Sequence, residues 1–217
     1  MDIARNINEV RQRIAAAALR AGRSADEITL IAVTKTAPVA DIQKAVEAGI
    51  GHLGESRIQE AERKITQLNA AGLRPTWHMI GHLQRNKVKT ALEIFDIIHS
   101  IDSLRLAQTV SAQANKNVSI LIQVNIADEE TKQGFSIAEA AGAVAEISKM
   151  PNLSIRGLMT IAPMADDAEA VRPVFRELRK LRDSLGLEHL SMGMSDDLEI
   201  AIEEGATMVR VGRAIFG

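Results

Sequence analysis

Ile28-Thr-Leu-Ile-Ala-Val-Thr34 is the most apolar run near the start of the chain, and it gives way at once to Lys35-Thr-Ala-Pro38. A short continuous apolar run of this kind reads as a buried strand. An ammonium placed where such a strand runs out is costly to desolvate unless it has a partner or a task. Lysine is also the side chain whose pKa falls readily on burial, as imine-forming lysines require. The plainer alternative is that the strand has ended and Lys35 snorkels into water.

Working outward, residues 2–22 read as a helix, with Ile3, Ile7, Val10, Ile14, Ala17 and Ala18 at helical spacing and Gly22 as its stop. After the strand at 28–34, β-type runs recur at 51–54, 76–80, 95–99, 118–125, 154–160, 189–193 and 207–211. Helix-like segments lie between them at 39–48, 56–71, 103–114, 136–149, 166–185 and 196–204, the first ending on a glycine suited to a C-cap, Gly49. Eight short strands interleaved with helices predict parallel βαβ units. Eight also closes an α/β barrel of the (β/α)8, TIM-like kind, with an open doubly wound sheet as the alternative. The final unit is short, stopping at Phe216-Gly217, and the N-terminal helix is expected to cover the missing last position. No linker or repeat interrupts the chain, so residues 1–217 are expected to form a single domain.

Composition narrows the function. The 217 residues are 46% hydrophobic, enough for a sizeable core, and include no cysteine, which rules out disulfides, thiolate metal sites and a cysteine nucleophile. A net charge of −2 offers no global field for nucleic acid. The start, Met1-Asp-Ile-Ala-Arg-Asn, does not read as a signal peptide, and no apolar run reaches membrane-spanning length. A soluble, cytoplasmic protein is expected. Tyrosine is absent.

In a barrel of this kind the chemistry sits at the C-terminal ends of the strands. That rule selects Lys35, Glu55 and Ser56, His78 to His82, His99 to Asp102, Asn125, Met159 and Thr160, Met194 and Ser195, and Arg210 to Arg213. Phosphate sites in such barrels use the loops after strands 7 and 8, where Ser195 can supply a hydroxyl and Gly212 and Arg213 backbone N–H groups. Ser195 can equally be the N-cap of the 196–204 helix. Arg210, in the buried-looking Met-Val-Arg-Val run, is either a structural ion pair with Glu55 or a donor aimed at a ring nitrogen or acid of a ligand. His78 and His82 are four apart, but Gly81 intervenes and no carboxylate motif accompanies them, so no metal site is expected. Gln84 to Lys87 read as a solvated helix start, and neither a dinucleotide nor a P-loop glycine pattern is present. A lysine and a phosphate cradle on one rim suit a phosphorylated carbonyl compound held as an imine, and pyridoxal phosphate has both groups.

Ala32-Val-Thr-Lys35-Thr, Gly54-Glu55, Gln59-Glu60, Trp77-His78-Met-Ile-Gly81-His-Leu-Gln84-Arg-Asn86-Lys87, Gly157-Leu-Met-Thr160, Ser191-Met-Gly-Met-Ser195-Asp-Asp and Val209-Arg210-Val-Gly212 together resemble the pyridoxal phosphate homeostasis proteins. These are single-domain relatives of the alanine racemase N-terminal barrel, pyridoxal phosphate fold type III. The resemblance implies that Lys35 carries the cofactor as a Schiff base, Ser195 with the Gly212 and Arg213 backbone holds the phosphate, and Arg210 faces the pyridine nitrogen. Ser56, His78 and Met194 complete the implied cofactor-binding set. Ser56 stands where the family usually has the longer Asn, and relatives run on a few residues past Gly217.

The resemblance also admits an amino-acid racemase. In alanine racemases the second acid/base is a tyrosine from a second domain of the partner subunit. This chain has no tyrosine, and no second domain is read in it, though His78 offers a substitute base. A cationic Arg210 disfavours a proton on the pyridine nitrogen and weakens the ring as an electron sink, in racemases and carriers alike. The expectation is therefore a monomeric carrier that buffers pyridoxal phosphate and delivers it, with pyridoxal phosphate-dependent apo-enzymes as partners, without robust catalysis. A third reading is an open-sheet enzyme that holds a sugar phosphate on a Schiff-base lysine.

Overall fold

The computed structural model describes residues 2–127 and 133–217. Eight parallel strands close into a barrel in chain order: β1 (Thr29–Val33), β2 (His52–Glu55), β3 (Thr76–Met79), β4 (Ile97–Ile101), β5 (Val118–Gln123), β6 (Leu153–Met159), β7 (His189–Ser191) and β8 (Met208–Val211). Closure is the pairing of β8 with β1, Ile31 opposite Arg210, and it excludes the open-sheet alternative. The helices outside are α1 (Ile3–Arg20), α2 (Val39–Glu47), α3 (Ile58–Ala70), α4 (Val88–Ile94), α5 (Leu104–Gln113), α6 (Ile137–Ile147), α7 (Arg172–Ser184), α8 (Leu198–Glu203) and the stub α9 (Arg213–Phe216).

α1 fills the position that the four-residue α9 leaves open. Asp2 caps it by accepting from Arg5 N at 3.0 Å, and its apolar stripe from Ile3 to Ala18 is buried. Asn6 Nδ2 donates to Ile215 O at 2.9 Å, and Arg13 clamps Glu199 at 2.6 and 2.9 Å while donating to Ser195 O at 2.8 Å. The added helix thus braces the loop after β7. Gly49, at φ +87°, turns the chain out of α2 as expected of a C-cap glycine.

Several expected bounds shift in detail, as two elements illustrate. The fourth strand runs Ile97–Ile101 rather than 95–99: Phe95 ends α4, and the Asp96 carboxylate accepts from Trp77 N at 2.7 Å. The helix expected over 166–185 begins at Arg172, after a 3-10 turn over Ala168–Val171.

Two cores result. The larger lies between sheet and helices; a smaller one of Ile31, Leu121, Met159 and Met208 sits inside the barrel. Gly157 lets β6 approach β7, since a Cβ there would stand 2.0 Å from His189 O. The rest of the interior is polar: His78, His99, Ser191 and Arg210 are all buried.

Candidate functional site

The expected rim residues do gather at the C-terminal mouth. Lys35 follows β1 in a turn closed by Ala37 N on Thr34 O at 2.9 Å. Its side chain is exposed, so burial does not distinguish it. The buried ammonium belongs to Lys64 of α3, which is 1% exposed and lies 2.5 Å from Glu55 Oε1 and 2.6 Å from Thr34 O. Glu55 also accepts from Thr34 Oγ1 at 2.7 Å and from Ser56 N at 3.2 Å. An acid–base pair thus ties the ends of β1 and β2 to α3, at the residue before Lys35. A signal for it existed: Lys64 lies three residues after Ala61 and four before Leu68 on the buried stripe of α3, where a cation needs an acid.

Those bonds occupy Glu55, so the ion pair with Arg210 is not formed. Arg210 instead donates from Nη1 to Ser191 Oγ at 2.6 Å and from Nη2 to Thr160 O at 2.8 Å. The reason is register: Arg210 on β8 points inward toward β7 and the end of β6, away from the α3 side of β2. Burial pushes it down to about 10, against an opposing pull from the charge of Asp197, so it remains a cation at neutral pH. It is a desolvated cation whose hydrogen-bond acceptors are neutral oxygens. Such a group invites an acceptor atom from outside.

Ser195 does not cap the following helix. α8 starts only at Leu198, with Asp197 at its N-cap, and Ser195 Oγ instead accepts from Ala214 N at 3.3 Å. The hydroxyl therefore stands over the Gly212–Ala214 turn. Gly212 lets that turn close against β1, since a Cβ there would meet Val33 Cβ and Val33 O at 3.3 Å. Met194, half-buried, is fixed by its N–H to Asp197 Oδ1 at 2.6 Å. The Arg213 side chain points to solvent and pairs with Asp196, leaving its backbone at the cradle. Ser195, Gly212 and Arg213 are thus brought together beside the end of β1, two residues before Lys35.

Ser56 lies on the neighbouring side of the mouth. It lines a cavity of about 190 Å³ with Gln59, Met79 and His82, and Gly81 packs on its backbone. His78 lies below the rim, with both ring nitrogens within hydrogen-bond distance of other histidines, whereas His82 pairs with Asp102 at the surface. The two histidines diverge. A recess of about 550 Å³ opens at the opposite end of the barrel, lined by Arg11, Asp26, Gly49 and His52. It holds none of the expected rim residues.

Comparisons with known proteins agree with this fold. The model of the alanine racemase N-terminal domain family matches residues 2–217. The pyridoxal phosphate homeostasis protein of Escherichia coli K12 is 43% identical, covering 100% of this chain and 96% of its own, and that of Aquifex aeolicus is 41% identical over 100% and 98%. The solved structure of PipY from Synechococcus elongatus with pyridoxal phosphate bound superposes with a TM-score of 0.88 at 34% identity, covering all of both chains. Alanine racemase from Corynebacterium glutamicum shares the fold, with a TM-score of 0.69 at 18% identity over 97% of this chain and 61% of its own. This chain belongs to the alanine racemase N-terminal domain family, among its pyridoxal phosphate homeostasis proteins.

Proposed function

We propose that this protein binds pyridoxal phosphate at the C-terminal mouth, holds it as a Schiff base on Lys35, and serves to buffer and deliver it. The observation that carries the reading is Arg210, a buried guanidinium whose hydrogen-bond partners among the described residues are neutral, beside a hydroxyl-and-glycine cradle. The donor set fits the cofactor at its phosphate, pyridine nitrogen and aldehyde. Ser195 Oγ and the backbone of Gly212 and Arg213 would receive the phosphate; the cradle is compact, since Gly212 admits no Cβ without crowding Val33. Arg210 would donate to the unprotonated pyridine nitrogen, and the exposed Lys35 amine would condense with the aldehyde, releasing water. When bound, the cofactor supplies an electron sink; Arg210 weakens it by opposing a proton on the ring. Ser56 and Met194 flank the site. The relatives' name and the pyridoxal phosphate in PipY support the same cofactor.

Purified protein given pyridoxal phosphate is expected to show the visible absorption band of a lysine-bound cofactor, and Lys35→Ala to abolish it. Borohydride trapping should place the adduct on Lys35. A retained band with an adduct elsewhere would overturn the assignment.

The racemase reading predicts a second acid/base opposite the lysine. The chain has no tyrosine, and both ring nitrogens of His78 face other histidines inside the barrel. A panel of D- and L-amino acids should therefore show no robust racemisation by the loaded protein. Turnover on the order of 1 s⁻¹ would favour an enzyme.

A further inference from the structure

Three histidines on consecutive strands stand in one line inside the barrel. His52 Nδ1 lies 3.0 Å from His78 Nε2, His78 Nδ1 lies 2.9 Å from His99 Nε2, and His99 Nδ1 lies 2.9 Å from Ser191 Oγ. Arg210 Nη1 ends the line, 2.6 Å from the same hydroxyl. At the other end His52 borders the recess at the N-terminal face. The line therefore joins the two mouths of the barrel, and it ends on Arg210 at the proposed cofactor site.

Donor inventory sets its direction. A guanidinium donates and never accepts, so Ser191 Oγ is an acceptor toward Arg210. The hydroxyl has one proton, and of its two partners only His99 Nδ1 can take it. A neutral His99 that accepts at Nδ1 carries its proton on Nε2 and donates it to His78 Nδ1. His78 then donates from Nε2 to His52 Nδ1, and His52 presents its own Nε2–H away from the line. In the reverse order His99 would donate to Ser191, whose proton would be buried without an acceptor, as native interiors avoid. Burial of His78 and His99, both 0% exposed, favours their neutral forms.

We infer that His52, His78 and His99 form a one-way hydrogen-bond chain of neutral Nε2–H tautomers, which through Ser191 positions the Arg210 guanidinium at the C-terminal mouth. They are positioning residues, and this is the part His78 plays in the site. The consequence for the cofactor rests on the reading of Arg210 given above; the tautomers do not.

The test is long-range proton–nitrogen correlation on the full chain, free of cofactor, with 15N-labelled histidine. His78 and His99 should show a protonated Nε2 and a bare Nδ1, unchanged between about pH 6 and 8. A protonated Nδ1 on either ring overturns the inference, whether or not any variant folds. Ser191→Ala should release the His99 tautomer into a mixture and weaken pyridoxal phosphate binding about tenfold, the size of one lost charge-assisted hydrogen bond. Ser191→Thr, which keeps the hydroxyl, should restore both, and an unmoved His99 tautomer in Ser191→Ala counts against the chain. The two readings fail separately. Correct tautomers without pyridoxal phosphate uptake would sink the cofactor reading alone, and uptake with a protonated Nδ1 would sink the chain alone.

Discussion

Lowering the pH from about 6.5 toward 4 is expected to destabilise the fold by about 3 kcal/mol per pH unit. The cause is His78 and His99. Burial holds His78 down to about 3, with the charge of His52 adding to the effect, and burial holds His99 well below its ordinary value, with His78 and Arg210 adding. Unfolded, both return to about 6.5. Within that window the unfolded chain binds more protons, one for each histidine, and each contributes about 1.4 kcal/mol per pH unit. The sign follows from the depressed folded values. Stability is fully present above about 6.5 and is lost as the pH falls toward the folded pKa. Two pH units remove about 5 kcal/mol, comparable to the whole stability of many domains. Below about 4.5, Glu203, held down by its hydrogen bond from Arg172, adds in the same direction. Denaturant titrations at a series of pH values measure the slope. His99→Asn should roughly halve it, and a flat wild-type profile between about 6.5 and 4.5 would show a histidine protonated inside the barrel.

Lys64→Ala is expected to cost about 3–5 kcal/mol, because it leaves the fully buried Glu55 carboxyl without the cation it pairs with. It also strips the hydrogen bond from Thr34 O, the residue before Lys35, so the end of β1 should loosen as well as the fold. The pair is not itself a large net source of stability, since two charges were desolvated to form it. Replacing both together, Glu55→Leu with Lys64→Met, should therefore recover most of the loss, less the bonds that Thr34 Oγ1 and Ser56 N make to the carboxylate. A double-mutant cycle by denaturant titration separates these contributions. A single-variant loss below about 1 kcal/mol would mean that Glu55 finds another partner.

Most of the fold was legible along the chain. Apolar runs of strand length alternating with helical periods mark eight units, and the sites expected of Lys35, Ser195 and Gly212 follow from where those strands end. Such signals survive because strand and helix periods are local and a parallel barrel places every strand end on one face. Even Lys64 was readable in principle, as a lysine on an apolar stripe.

What the sequence could not determine is which side chains meet across the barrel. Ser195 could cap a helix or face the loop after β8 until α8 was seen to start at Leu198, beyond its reach. Arg210 could pair with Glu55 until closure of β8 on β1 turned it toward Ser191 and Thr160. His52, His78 and His99 lie 26 and 21 residues apart, and Ser191 another 92, so no spacing rule joins them. Strand register does, because parallel pairing and barrel closure carry side chains from β2, β3, β4, β7 and β8 into one enclosed space. There burial makes an unpaired polar atom costly, so these side chains bond one another. The sequence by itself determined the eight strand-and-helix units and the strand end on which Lys35 stands; only the tertiary structure decided that they close, what holds that lysine's strand and what turns Arg210 to face the mouth.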